Sequence, residues 1–156
     1  MKNLLRDFGV IVFVVALLGV TAFFLDARLS QLFLYGSTAS LHGIPEVSVE
    51  EALSWESGSG VTWIDARSKK EFEEGHVPHS FLLSEASDVS WEESFFELMA
   101  SGSLAEDRPV VVYCASDSCD ASGRVAVRLK DLMDEGVIPT AEVYVLANGW
   151  EAWQAR

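Results

Sequence analysis

Cysteine, histidine and positive charge are all scarce in this sequence: among 156 residues there are two cysteines, three histidines and 11 Lys plus Arg. Two cysteines cannot build a disulfide scaffold. Three scattered histidines with no C-x-x-C pair miss the spacing of a structural zinc site, so no metal is expected. Against the 11 cations stand 24 Asp plus Glu, for a net charge of −13. A chain this acidic does not grip nucleic acid by neutralising phosphates. Disorder is excluded as well, because 49% of the residues are hydrophobic and the length suits one domain with a real core.

The hydrophobic residues are unevenly spread. Residues 8–25 read FGVIVFVVALLGVTAFFL, eighteen positions without a charge. As a helix they would span about 27 Å, close to the thickness of a bilayer core. The end of the run and the residues just after it, Phe23 to Arg28, offer no small-residue cleavage site, which argues against a removed signal peptide. An apolar circumference also fits lipid better than a protein core. The expected organisation is a flank at 1–7, a single transmembrane helix at 8–28, a juxtamembrane linker at 29–45 and a folded domain at 46–156. Lys2 and Arg6 precede the span and only Arg28 follows closely, which favours a cytoplasmic N-terminus and an extracytoplasmic domain. Residues 1–30 carry a net +1 from Lys2, Arg6 and Arg28 against Asp7 and Asp26, leaving −14 on residues 31–156.

Three helix starts share one signature, a serine with glutamate three residues on: Ser48 with Glu51, Ser68 with Glu71, Ser90 with Glu93. In each, the hydroxyl accepts from an early helix N–H and the glutamate reaches back to the cap. Between them lie short apolar runs suited to buried strands at Val61–Ile64, Phe81–Leu83, Pro109–Tyr113 and Glu142–Leu146. A longer helix over Ala121–Glu135 puts Val125, Ala126, Leu129, Leu132 and Met133 on one face and stops at Gly136. Strands alternating with helices indicate an α/β fold with a mostly parallel sheet.

In such sheets chemistry gathers where a strand's carboxyl end hands over to a helix. One strand end delivers Cys114 to a short loop, Ala115, Ser116, Asp117, Ser118 and Cys119, followed by Asp120 and the long helix. Amides of the loop and the first helical turn, with the helix dipole, favour a thiolate there and lower the thiol pKa. A nucleophilic sulfur is the functional reading; a small buried residue closing a strand is the alternative.

Three stretches of this chain resemble the rhodanese-like domain family. They are Ile64-Asp65-Ala66-Arg67 with Glu71-Phe72-Glu73-Glu74-Gly75-His76-Val77-Pro78, then Val111-Val112-Tyr113-Cys114 with its loop, then Leu146-Ala147-Asn148-Gly149-Trp150-Glu151-Ala152-Trp153. The resemblance covers residues 46–156 and implies a three-layer α/β fold. It implies that Cys114 is the catalytic cysteine, which accepts sulfane sulfur as a persulfide and passes it to a thiophilic acceptor, with no cofactor. Such ping-pong covalent catalysis needs loop amides to stabilise the negative persulfide.

The loop departs from the family where charge matters. Many rhodanese loops carry a basic residue soon after the cysteine and another at the sixth position. Here those places hold Ala115 and Cys119, and Asp117 and Asp120 add negative charge. Carboxylates repel an anionic donor and raise a thiol pKa, so a persulfide or protein thiol is expected as partner before thiosulfate. A phosphatase loop needs arginine six residues after the cysteine, and that residue is Asp120. Cys119 has two readings: a resolving thiol that closes a disulfide with Cys114, if their Cα atoms lie within about 7 Å, or a small residue filling the loop's rim.

Arg124, in the first turn of the long helix, is the candidate for anion contact and could offset Asp117 or Asp120. Asp65 and Arg67 are expected to brace their turn, with Arg67 pairing Glu71 or a neighbour. His76 is read as structural, and Trp150 and Trp153, on a short terminal helix with Gly149, as packing residues. Trp91, Phe95, Phe96, Leu98 and Met99 form an apolar run, either core or partner surface. Two rival functions remain open from the residues: a thiol–disulfide or redox-sensing protein using Cys114 and Cys119, and a non-enzymatic module that presents a surface to a membrane partner.

Overall fold

The computed structural model describes residues 43–58, 60–140 and 142–156. The transmembrane helix expected at 8–28 and most of the linker lie outside them. Among the described residues no helix is long and apolar enough to cross a membrane.

In the described residues five strands and five helices alternate: β1 Glu46–Val47, α1 Val49–Trp55, β2 Thr62–Asp65, α2 Lys69–Glu74, β3 Phe81–Leu82, α3 Trp91–Ala100, β4 Val110–Tyr113, α4 Ala121–Asp134, β5 Val143–Leu146 and α5 Gly149–Gln154. The strands form one sheet in the order β1-β5-β4-β2-β3, and every pairing is parallel. In a parallel sheet covered by helices both faces are buried. All four residues of central β4 are buried accordingly.

Alternation along β4 divides the core into two. Val110 and Val112 face a cluster with Ile64, Val143 and Val145, closed by Leu98 of α3 and by Val125, Ala126 and Leu129 of α4. Val111 and Tyr113 face the opposite cluster, with Trp63, Val47, Val49 and Ala52 of α1, and Trp153 of α5. Leu98, placed in the apolar run of α3, is core, whereas Phe96 is 74% exposed.

The three serines cap as their spacing predicts. Ser48, Ser68 and Ser90 each accept from the N–H three residues on. The reciprocal bond from glutamate is made only at Ser68, where Glu71 is held by the Ser68 hydroxyl at 2.5 Å and the Ser68 N–H at 3.1 Å. These bonds to Ser68, against a smaller effect of burial, keep the Glu71 carboxyl below the usual glutamate range, and the positive charge of Arg67 adds to the lowering. β1 was not anticipated. A two-residue strand carries too little pattern to see, and its existence rests on pairing Glu46 and Val47 with Val145 and Leu146.

Candidate functional site

β4 ends at Tyr113, so Cys114 emerges at the carboxyl edge of the sheet between β2 and β5, each hydrogen-bonded to β4. Cys114 is buried, Ala115, Ser116 and Cys119 are half-buried, and Asp117 and Ser118 are exposed. Cys119 N–H donates to the Ser116 carbonyl at 3.1 Å. That turn carries the chain back on itself, and Cys114 and Cys119 are joined by a disulfide with Cα atoms 6.1 Å apart.

The start of α5 holds the loop from behind. Trp150 N–H donates to the Cys114 carbonyl at 2.7 Å and Glu151 N–H to that of Ala115 at 3.2 Å. In a trans peptide the N–H points opposite to the C=O. The Ala115 and Ser116 amides are therefore directed away from α5. Gly149 makes this close approach possible: its φ is +51°, and a Cβ there would overlap the Cys114 carbonyl oxygen and lie 3.0 Å from its carbon. Asn148 before it is also left-handed, and its N–H donates to Asp117 Oδ1.

The loop forms one wall of a cavity of about 280 Å³ lined on the other sides by Ala66, Arg67, Ser68 and Glu71, by Ser84, Glu85 and Ala86, and by Ala121 and Arg124. This is slightly below the usual range for drug-sized ligands, a size for a small donor or a single protruding side chain. Two of the lining stretches, residues 66–68 and 84–86, follow β2 and β3. Sequence reasoning overlooked Ser84 and Glu85, although they sit at a strand's carboxyl end like Cys114. Ser84 is buried and its hydroxyl donates to the Ala66 carbonyl at 2.8 Å.

Charge at this cavity is matched internally. Arg67 does not take Glu71 as its hydrogen-bonded partner: its guanidinium donates to both carboxylate oxygens of Asp65, the Nη2 contact being 2.6 Å, and to the Gly75 carbonyl. Asp65 is nearest along the strand end and fully buried, so it has the greater need of a counter-charge. Burial alone would lower the Arg67 pKa, but hydrogen bonding and attraction to Asp65 outweigh it and leave it raised. The Arg67 plane also lies over the rings of Trp150 and Tyr113, 4.7 and 5.7 Å from their centroids.

Arg124 bonds Glu85 at 3.0 Å and Asp120 at 2.8 Å; both hydrogen bonds raise its pKa. It offsets Asp120, while Asp117 is held by Asn148. Asp120 makes no side-chain cap on α4. The negative field reaches β1, where burial first and then the charge of Asp117 push the Glu46 carboxyl up.

Other predicted residues sit around the site without entering it. His76 stacks on Phe72 with centroids 3.9 Å apart, and its Nδ1 hydrogen-bonds with the Phe72 carbonyl. Trp153 packs edge-on against Trp63. Tyr113, under Cys114, has its hydroxyl held by the Val77 N–H and shared with Ser80, and burial pushes that hydroxyl far above its ordinary pKa. Among the described residues no group of three or more His, Cys, Asp or Glu side chains could hold a metal ion.

Comparison with solved structures finds weak overall similarity. The BH2092 protein from Bacillus halodurans is 17% identical with a TM-score of 0.47, the match covering 83% of this chain and 79% of that one. A protein of unknown function from Rhodopseudomonas palustris, RPA3614, described as a possible tyrosine phosphatase, is 20% identical with a TM-score of 0.42, covering 72% and 80%. The sequence profile described as rhodanese-like domain matches residues 48–156. That match takes in β2, the cysteine loop and the Gly149-Trp150 turn that clasps it, and the chain belongs to the rhodanese-like domain family.

Proposed function

We propose that this chain is a sulfurtransferase in which Cys114 accepts a sulfane sulfur and carries it as a persulfide. The observation that supports this best is the fastening of the Cys114 and Ala115 carbonyls to the start of α5. It turns the next two amides away from α5, leaving them as preorganised donors for a developing anion. The α4 dipole at the other end of the loop acts in the same sense. In the reaction the Cys114 thiolate attacks the outer sulfur of a persulfide donor, the donor thiolate leaves, and the sulfur stays on Cys114 until a thiol acceptor takes it.

The donor we propose is a small persulfide or a protein persulfide. Arg67 and Arg124 are both committed to carboxylates, which leaves thiosulfate no spare cation among the described residues that line the cavity. Phosphate transfer lacks support for the same reason, with Asp120 where a phosphate-binding arginine would stand. Intact mass spectrometry of the reduced Cys119→Ser protein after a persulfide donor is expected to show one added sulfur atom, and none when Cys114 is also replaced by serine. Absence of the adduct with several donors would overturn the reading.

The Cys114–Cys119 bond favours a second reading, thiol–disulfide exchange without sulfur transfer. Its signature is loss of two hydrogens in mild oxidant with no sulfur adduct under any donor.

We further propose that residues 8–28 anchor the chain in a membrane with the domain on the extracytoplasmic side, as the apolar run and its flanking charges suggest. The full chain should then sediment with membranes, and protease added to intact cells should digest a tag at its C-terminus. Recovery in the soluble fraction, or a protected tag, would count against anchoring or sidedness respectively.

A further inference from the structure

The two cysteines lie closer than their separation requires. Five residues of extended chain would reach about 17 Å, yet the Cα atoms are 6.1 Å apart. The Ser116–Cys119 turn produces this, and 6.1 Å is within the spacing a disulfide needs. The loop therefore brings a second sulfur to the inner sulfur of anything attached to Cys114, with the surrounding fold as it stands. Both line the cavity, but Cys114 is almost fully buried while Cys119 is half-exposed, so Cys119 is the more accessible of the two to an external thiol.

We propose that Cys119 discharges the Cys114 persulfide as hydrosulfide, making the domain a dithiol-driven persulfide reductase. The inference rests on the sulfur-carrier reading above and adds its second half-reaction. The Cys119 thiolate attacks Cys114 Sγ; the Sγ–Sγ bond forms and the bond from Cys114 Sγ to the outer sulfur breaks. The outer sulfur leaves with the bonding pair as hydrosulfide. That sulfur is reduced by two electrons, and the two cysteine thiols are oxidised to the disulfide seen in the structure. A reducing dithiol then attacks the more accessible sulfur, Cys119, expels the Cys114 thiolate, and leaves as its own disulfide. Among the described residues the cavity supplies no spare cation to hold a persulfide anion, which suits a carrier that discharges its sulfur promptly.

The test uses the full chain in detergent micelles, prereduced and kept free of oxygen, with one equivalent of glutathione persulfide. Intact mass and trapped hydrosulfide are read together. Wild type should lose two hydrogens and release one hydrosulfide per disulfide formed. Cys119→Ser and Cys119→Ala should instead keep one added sulfur and release hydrosulfide about tenfold more slowly or less. A wild-type persulfide as long-lived as that of the Cys119 variants would overturn the reductase while leaving the carrier intact. Disulfide formation without hydrosulfide would also overturn it. No sulfur adduct on either Cys119 variant would remove the carrier reading and this inference with it.

Discussion

Gly149 is the residue on which the cysteine loop depends most directly. Its φ of +51° and its contact with the Cys114 carbonyl leave no room for a side chain. Alanine there would cost roughly 1–3 kcal/mol from the left-handed backbone, with the collision added. Gly149→Ala is expected to lower the unfolding midpoint and to slow formation of the Cys114 adduct, because the Trp150 N–H that fastens the loop moves with it. An unchanged adduct rate would show that α5 does not set the loop. The importance of this glycine was visible in the sequence only through the Gly-Trp pair that resembles the family. The reason for it, a carbonyl 35 positions away, belongs to the tertiary structure. The Arg67 partner was open between Glu71 and a neighbour in the sequence, and the burial of Asp65, which only the tertiary structure shows, decides the pairing.

Among the elements, the capped helices were the most legible, since a serine and a glutamate three apart act through bonds that the local chain alone supplies. Ser68 is the strongest case, and Ser68→Ala is expected to cost about 1 kcal/mol, read in thermal or denaturant unfolding. It should also change the acid limb of stability. The folded Glu71 pKa is depressed, so its contribution is present above the ordinary glutamate value and is lost as pH falls through the lower folded value. Ser68→Ala should flatten that loss between about pH 5 and 3; an acid limb identical to wild type would show that the box is not its source. The two-residue strand β1 was illegible because its pairing, like the cavity stretch at Ser84–Glu85, depends on neighbours remote in the chain. The disulfide stood in between: the sequence put both cysteines in one loop, but the 6.1 Å separation comes from the Ser116–Cys119 turn.

For the whole molecule the acidic balance has a measurable consequence. Residues 31–156 carry −14, with Asp117 and Asp120 at the loop, so an anionic donor is repelled before it arrives. With thiosulfate, the second-order rate of sulfur loading should rise with ionic strength as the repulsion is screened over about 10 Å at 0.1 M salt. The rate at which neutral iodoacetamide alkylates the reduced loop should change little. A fall in the thiosulfate rate with salt would reveal attraction and return Arg124 to the role of anion contact.

The sheet order also bears on how the molecule behaves among copies of itself. Among the described residues its margins are β1 and β3, two residues each, while the four-residue strands β5, β4 and β2 are interior. An exposed strand recruits another chain by offering a ladder of unpaired amides and carbonyls. These margins offer scarcely one rung. If the proposed anchor confines many copies to a two-dimensional surface, short margins keep that crowding from becoming edge-to-edge aggregation.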